Sequence, residues 1–103
     1  MFEGFSDHYD AEARLVILKA LAGEIDYRLS DSMLVTMLEA FAIKRGREYV
    51  RNQLRWLHNS AGAIRVTEAG TALIAELTEA GLDHVEFRRI LDGVKRPSPS
   101  RSA

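Results

Sequence analysis

The sequence predicts a mostly helical α+β domain with three helices, a β-hairpin and a fourth helix. Three observations carry this prediction. Apolar residues recur at helical spacing in three segments before residue 59, short β-branched runs follow residue 62, and helical spacing returns after residue 78. The length of 103 residues fits one domain with one modest core.

The first helix is predicted from about Asp10 to Ala22. Asp10 is a suitable N-cap, and Gly23 offers a left-handed end to the helix. The link at 24–29 alternates apolar and polar residues, which predicts a short strand.

The second helix is predicted to begin after Ser30, a favourable N-cap, and to end near Ile43. A turn at 44–46 separates it from the third helix, which is predicted from about Arg47 to His58. The inner faces of the two helices are predicted from their apolar spacing: Leu34, Met37, Leu38 and Phe41 on the second, and Val50, Leu54 and Leu57 on the third.

The pattern changes after residue 62. The runs at 63–67 and 71–77 contain β-branched residues, and Gly70 between them can take a positive φ, so the two runs predict a β-hairpin. Thr78 is the predicted N-cap of the fourth helix. Its inner face is expected to consist of Leu82, Val85 and Phe87.

Positive charge is concentrated in the middle of the chain. Residues 44–65 hold six bases and one acid, whereas residues 1–43 hold eight acids and three bases, and the net charge is −1. A local excess of positive charge attracts a polyanion even when the total charge is near zero.

Three arginines in this segment are spaced four residues apart: Arg47, Arg51 and Arg55. The spacing places them in one stripe beside the apolar face of the third helix, where we expect them to project outward and remain free. Arginine binds phosphates and guanine edges through its planar fork of N–H groups. The residues also allow another interpretation, in which Arg51 pairs with Glu48 or with acids of the second helix. If carboxylates tied up the arginine row, the regulator hypothesis would fall and only the architecture would remain.

The predicted order of helix, helix, turn, helix, hairpin and helix is that of a winged helix-turn-helix, with a three-helix core, a β-hairpin wing and a C-terminal helix. In that architecture the third helix enters the major groove, and the hairpin lies over the backbone or minor groove. The order and the charge together give the candidate DNA-binding residues: Lys44, Arg45, Arg47, Arg51, Asn52, Arg55 and Arg65.

Several short motifs resemble known winged-helix proteins. The segment 78–82, Thr-Glu-Ala-Gly-Leu, resembles the L-T-x-x-G segment that begins the last helix of MarR-like and PadR-like regulators. Segments 47–51, 54–57, 77–83 and 93–97 are similar to small winged-helix proteins of Mu-like phages and prophages. The similarity covers about Asp10 to Pro97, and it implies a winged-helix fold and a phage setting.

These observations lead us to expect sequence-dependent binding of double-stranded DNA by a phage- or prophage-encoded transcriptional regulator. A palindromic site would require a homodimer, for which the expected surface lies around Tyr49, Trp56 or the last helix. The alternative is a winged-helix adaptor in phage assembly, in which the arginine stripe meets an acidic protein surface.

Composition argues against other classes of protein. The absence of cysteine excludes disulfides and thiolate catalysis, and the histidines His8, His58 and His84 lack the spacing of a metal site. His84, next to Asp83, is expected on the surface. We therefore expect neither an enzyme nor a cofactor or metal.

The domain is predicted to span residues 1–94, followed by a disordered basic tail rich in Pro and Ser at 95–103. No apolar run reaches the roughly 20 residues that cross a bilayer. The first residues also lack the pattern of a signal peptide, so we expect a cytoplasmic protein without a membrane partner.

Overall fold

The structure is a computed structural model that describes residues 3–98, which form four α-helices and a three-stranded antiparallel sheet. The helices are α1 (Glu3–Ala22), α2 (Asp31–Glu39), α3 (Arg47–Trp56) and α4 (Glu79–Val85); the strands are β1 (Arg28–Ser30), β2 (Ile64–Ala69) and β3 (Ala72–Leu77). A π-helical turn, Leu57–Ala61, follows α3. This architecture confirms the predicted α+β class. None of the helices within 3–98 combines the length and apolar composition needed to span a membrane.

The sheet has the order β1-β3-β2, so β3 pairs with both neighbours. The predicted hairpin is confirmed: Ile64 lies opposite Leu77, and Gly70 in the connecting turn has a φ of 62°. The strand predicted at 24–29 forms later, at β1. Tyr27 has a φ of 61°, which is incompatible with an extended chain, so the strand starts at Arg28, although the Tyr27 carbonyl accepts from the Leu77 amide at 2.9 Å.

The core lies between the helices and one face of the sheet. α1 supplies its centre, because its apolar residues recur every three or four positions and pack against α2, α3 and β3. The largest fully buried apolar side chains are Ile17, Leu18 and Leu21 of α1, Leu34 and Leu38 of α2, Val50 and Leu54 of α3, Leu57 of the π turn, and Ile64 of β2.

α1 begins seven residues before the predicted start, at Glu3 instead of Asp10. Asp10 is therefore not an N-cap; it lies inside the helix, where its carboxylate accepts a hydrogen bond from the Tyr49 hydroxyl. Apolar periodicity could not reveal the first turns, since none of the described side chains from Asp7 to Glu12 is buried.

α2 ends at Glu39, four residues before the predicted Ile43. Ala42 takes a φ of 65°, and the Ile43 amide donates to the Leu38 carbonyl at 3.0 Å, a left-handed helix end. The reversal directs Ile43 into the core and leaves Phe41 65% exposed. The prediction that Phe41 belongs to the inner face of α2 is therefore wrong.

The predicted N-caps of α2 and α4 are confirmed. The Ser30 hydroxyl accepts from the Met33 amide at 3.2 Å, and the Thr78 hydroxyl accepts from the Gly81 amide at 3.3 Å. The inner face predicted for α3 is also confirmed, because Val50, Leu54 and Leu57 are all buried.

α4 packs very closely on the start of the hairpin. Thr78 donates its hydroxyl to the Gly62 carbonyl at 2.7 Å, and a Cβ atom on Gly81 would lie 2.3 Å from the Ala63 carbonyl oxygen. Only glycine fits this contact, which gives the Thr-x-x-Gly segment a physical reason. Phe87, predicted to point inward, is 43% exposed because the helix has already ended at Val85.

His84 is fully buried, so its predicted place on the surface is wrong. Its Nδ1 accepts from the Leu91 amide at 3.0 Å, and its Nε2 donates to the Lys95 carbonyl at 2.8 Å. The ring thus holds the segment after α4, and the Lys95 amide donates to the Ala11 carbonyl of α1 at 3.1 Å. Residues 99–103 of the predicted tail lie outside the described residues.

β2 lies at an edge of the sheet, and His58 of the π turn lies beside its outer side. The Nδ1 atom of His58 is 3.3 Å from both the Val66 amide nitrogen and the Ile64 carbonyl oxygen. The π turn thereby brings a side chain against backbone groups of an edge strand.

The close approach of α4 generates a prediction. Gly81→Ala is expected to lower the free energy of unfolding by about 1–3 kcal/mol, because the new methyl group overlaps the Ala63 carbonyl. Urea unfolding followed by circular dichroism measures the change. The control is Glu79→Gln on the same helix, expected to stay within about 0.5 kcal/mol of the wild type. Equal stability of both variants would contradict the close contact.

Candidate nucleic-acid interface

α3 presents a polar outer face opposite its buried side. Val50 and Leu54 anchor the helix in the core, and the side chains of Glu48, Asn52 and Arg55 are exposed. Arg55 donates to the Asn52 side-chain oxygen at 3.4 Å, a contact within the helix itself. Asn52 and Arg55 are therefore accessible to a ligand, as predicted for two of the candidate residues.

Arg47 and Arg51 differ from Arg55 because both bind the carboxylate of Asp31. Asp31 is the first residue of α2 and is fully buried. Its Oδ2 accepts from Arg51 Nε at 2.7 Å and from Arg47 Nε at 3.0 Å, and its Oδ1 accepts from the Ser32 amide at 2.9 Å.

Both guanidinium groups also donate to the backbone carbonyl of Thr71, Arg47 at 2.9 Å and Arg51 at a shorter distance. Thr71 lies in the hairpin turn, one residue before β3. These contacts join α2, α3 and the hairpin. We call the group the Asp31 cluster; it consists of Asp31, Arg47, Arg51 and the Thr71 carbonyl. We expected Arg47, Arg51 and Arg55 to form a free row, and this expectation is wrong for Arg47 and Arg51. The alternative, in which Arg51 pairs with an acid of the second helix, is confirmed.

The electrostatics of the Asp31 cluster follow from its geometry. Burial alone would raise the pKa of Asp31, but the hydrogen bonds from Arg51 and Arg47 outweigh it and hold that pKa below its ordinary value. One carboxylate shared by two guanidinium groups leaves one net positive charge. Arg47 carries part of this charge at the surface, since its side chain is 49% exposed, against 22% for Arg51.

The turn before α3 holds two more candidate cations. Lys44 is exposed. The Arg45 guanidinium lies over two aromatic rings, 4.6 Å from the centre of Tyr9 and 5.2 Å from that of Tyr49. Such stacking fixes the position of the side chain and keeps its charge available.

Arg65, on β2, is the candidate furthest along the chain. Its guanidinium lies 3.6 Å from the Glu76 carboxylate of β3, and its side chain is 65% exposed. An exposed pair of this kind contributes about 0–1 kcal/mol, so a phosphate can displace the carboxylate at small cost.

Tyr49 and Trp56, expected at a dimer surface, make contacts inside the domain. Burial and the hydrogen bond to Asp10 raise the pKa of Tyr49, whose ring also packs edge-on against Tyr9. The Trp56 ring lies 3.7 Å from the guanidinium carbon of Arg14. Both aromatic side chains therefore help to hold α3 to α1.

The sequence analysis did not predict the contacts by which α1 holds the buried side of α3. Arg14 donates to the Gln53 side-chain oxygen at 2.7 Å and to the Gly93 carbonyl at 2.9 Å. Gln53 lies among the buried positions of α3. A polar residue on an apolar helix face indicates a buried hydrogen-bond partner, and this was the sequence signal for the contact. Its partner lies 39 residues away, and local spacing carries no information about it.

The two kinds of arginine on α3 lead to a prediction. Arg51→Ala is expected to lower the free energy of unfolding by about 2–4 kcal/mol, because it leaves the buried Asp31 with one guanidinium partner. Arg55→Ala, the same change one turn later, is expected to stay within about 0.5 kcal/mol of the wild type. Urea unfolding measures both, and equal losses would contradict the difference between the two environments.

Acid unfolding tests the Asp31 carboxylate directly. A group with a lowered folded-state pKa stabilises the fold above its ordinary pKa near 4, and this stabilisation is lost as pH falls through the folded-state value. The unfolding free energy of Asp31→Asn should therefore fall less steeply below about pH 4 than that of the wild type. Asp92→Asn, at an exposed acid, should retain the wild-type slope, and identical slopes for all three proteins would exclude this role of Asp31.

Comparison with known proteins gives one relative. The chain is 32% identical over 94 residues to a protein of Escherichia phage Mu named "Uncharacterized protein gp26", and the match covers 91% of this chain and 96% of that protein. No protein-family model matches the chain. No solved structure matches it. An identity of 32% across nearly the full length of both chains establishes homology, so the protein belongs to the family of phage Mu gp26.

Proposed function

We propose that this protein is a winged helix-turn-helix protein that binds double-stranded DNA and acts as a phage-encoded transcriptional regulator. The observation that carries the proposal is the exposed polar face of α3, which lies next to the hairpin in the most positively charged part of the chain. The kinship with a phage Mu protein supports the phage setting.

The arrangement of elements supports the winged-helix assignment. α2 and α3 follow one another through a short turn at 40–46, and the hairpin of β2 and β3 comes directly after the π turn. β1 pairs with β3 and closes the sheet beside the helices. This arrangement suits insertion of α3 into the major groove, with the hairpin as the wing.

Four cations are available to phosphates in this arrangement. Lys44 and Arg45 lie before α3, Arg55 lies on its outer face, and Arg65 lies on the hairpin. Asn52, next to Arg55, offers an amide that can pair with adenine, and Arg55 can donate to guanine. The proposal therefore places base reading on the middle and end of α3.

The sequence analysis predicted that Arg51 contacts DNA, but in this proposal Arg51 has a structural role. It acts as a positioning residue, because its bonds to Asp31 and Thr71 hold the hairpin beside α3. Arg47 shares those bonds and contributes the remaining positive charge where α3 meets the wing. Because the hairpin is already held beside α3, the two elements can meet DNA without the loss of conformational entropy that ordering a loop at binding would cost.

Salt-dependent binding to random-sequence duplex DNA, followed by fluorescence anisotropy, tests the proposal. With four phosphate contacts, the log–log slope of affinity against salt should be about −4, and Lys44→Glu with Arg55→Glu should reduce its magnitude by about 2. The double variant should also bind more than tenfold more weakly. These side chains are exposed, so its circular dichroism spectrum should remain that of the wild type.

Arg89→Glu serves as the control, since it reverses one charge at an exposed site outside 44–65. It should bind DNA with wild-type affinity and slope. A wild type that does not bind duplex DNA, or a double variant that binds as well as the wild type, would overturn the proposal.

A second candidate is a winged-helix adaptor in phage assembly, with an acidic protein surface as the partner. The acidic balance outside 44–65, with fourteen acids against eight bases, is the feature that favours it. A pull-down from phage-infected cells separates the candidates: nuclease treatment removes partners held through DNA and leaves protein partners bound.

A further inference from the structure

A cleft of about 360 Å³ lies between α1, the end of α2 and the segment 95–98, and none of the candidate DNA-binding residues lines it. We call it the α1–α2 cleft. At the roughly 30 Å³ that a water molecule occupies in the liquid, the cleft has room for about twelve non-hydrogen atoms. Sites for small molecules have volumes of about 300–1,000 Å³, so this cleft is large enough to bind one.

The walls of the cleft are apolar. Leu15, Val16 and Ala20 line it from α1, and Met37 and Phe41, four residues apart, line it from α2 and the turn that follows. Leu15 and Val16 belong to the buried core, whereas Phe41 is 65% exposed. An apolar group in the cleft would cover this ring and remove it from water, which the hydrophobic effect favours.

The third wall is the segment after α4, and the fold holds it in place. His84 donates to the Lys95 carbonyl at 2.8 Å, and the Lys95 amide donates to a carbonyl of α1 at 3.1 Å. Val94 and Pro97 are buried, and Lys95 and Arg96 between them are exposed and line the cleft. The backbone that carries these two cations is therefore ordered before a ligand binds.

The mouth of the cleft is positively charged. Lys19 of α1 lies on one side, and Lys95 and Arg96 lie on the other. Glu12 is the one acid among the described residues that line the cleft, and its carboxylate is 3.4 Å from Lys95 Nζ. No carboxylate of a described side chain pairs with Lys19 or Arg96. Two cations are thus available to an anion at the mouth of an apolar cleft.

We propose that the α1–α2 cleft binds a small amphipathic anion, a carboxylate with an apolar tail of about ten carbons. The tail lies against the apolar walls, and the carboxylate pairs with Lys19 and Arg96. One turn of an α-helix, about 10 Å across and about 5.4 Å long, needs more volume than the cleft has, so a small molecule fits it better than a protein segment.

The proposal does not depend on DNA binding, and its test uses the full chain with isotope-labelled methionine methyl groups. Decanoate, whose size matches the cleft, is the probe. The NMR signal of Met37 should shift saturably with a Kd of about 2 mM or lower, the affinity of an ordinary ligand of this size. Met33, one helical turn earlier and outside the lining, should shift less, and Met33→Leu identifies its signal.

Two other ligands separate the contributions of the tail and the charge. Decylammonium has the tail of decanoate with the opposite charge, and it should bind to the wild type about tenfold more weakly or worse because the cationic mouth repels it. Butanoate has the same carboxylate with a short tail, and it should also bind about tenfold more weakly or worse because it leaves most of the apolar wall uncovered.

Two variants test the same contributions from the side of the protein. Lys19→Glu with Arg96→Glu should reverse the preference, so that decylammonium binds more tightly than decanoate. Ala20→Phe should fill the cleft and weaken decanoate binding about tenfold or more without any change of charge. Arg28→Glu with Arg89→Glu is the matched control, since it reverses two charges at exposed sites outside the cleft, and it should keep the wild-type affinity. Circular dichroism checks the fold of each variant.

Three results would overturn the proposal: a Met37 signal that decanoate does not shift saturably, equal binding of decanoate and decylammonium by the wild type, or a double variant at Lys19 and Arg96 that binds decanoate like its control. A Met37 signal that shifts with protein concentration instead of decanoate would assign the cleft to a second copy of the chain, which also contradicts the proposal.

Discussion

One buried carboxylate determines how the charged elements of this domain are arranged. Asp31 begins α2, receives two arginines from α3, and shares both of them with a carbonyl of the hairpin. A buried carboxylate is tolerated only with partners of opposite charge and complete hydrogen bonding, so α3 and the hairpin must meet at this point. The position of the hairpin relative to α3 thus depends on the side chain of Asp31, which belongs to neither element.

A second constraint acts at the other end of the hairpin. Thr78 caps α4 and also bonds the Gly62 carbonyl, and Gly81 allows α4 to approach the chain within a distance that no side chain permits. His84 then uses both ring nitrogens to hold the segment that follows. The hairpin is therefore held at its turn by the Asp31 cluster and at its base by α4.

The parts of this structure that could be predicted from sequence are those decided by nearby residues. The caps at Ser30 and Thr78, the hairpin and the buried face of α3 all follow from spacing within a few positions. The burial of His84 depends on tertiary contact, and so does the choice of Asp31 as the partner of Arg51, for which the sequence offered Glu48 and the acids of the second helix as alternatives. Charge counting marked the segment that holds these arginines, but it could not separate the arginines that support the fold from Arg55, which faces solvent.

The contact between His58 and β2 has a consequence for the protein in solution. An uncovered edge strand offers unpaired amide and carbonyl groups to the strands of other molecules, a route to aggregation and fibril growth. At β2 the imidazole lies against Val66 and Ile64 and obstructs that route with a side chain from the preceding turn. The irregular end of α3 thus places an imidazole where the strand of another molecule would have to pair with β2.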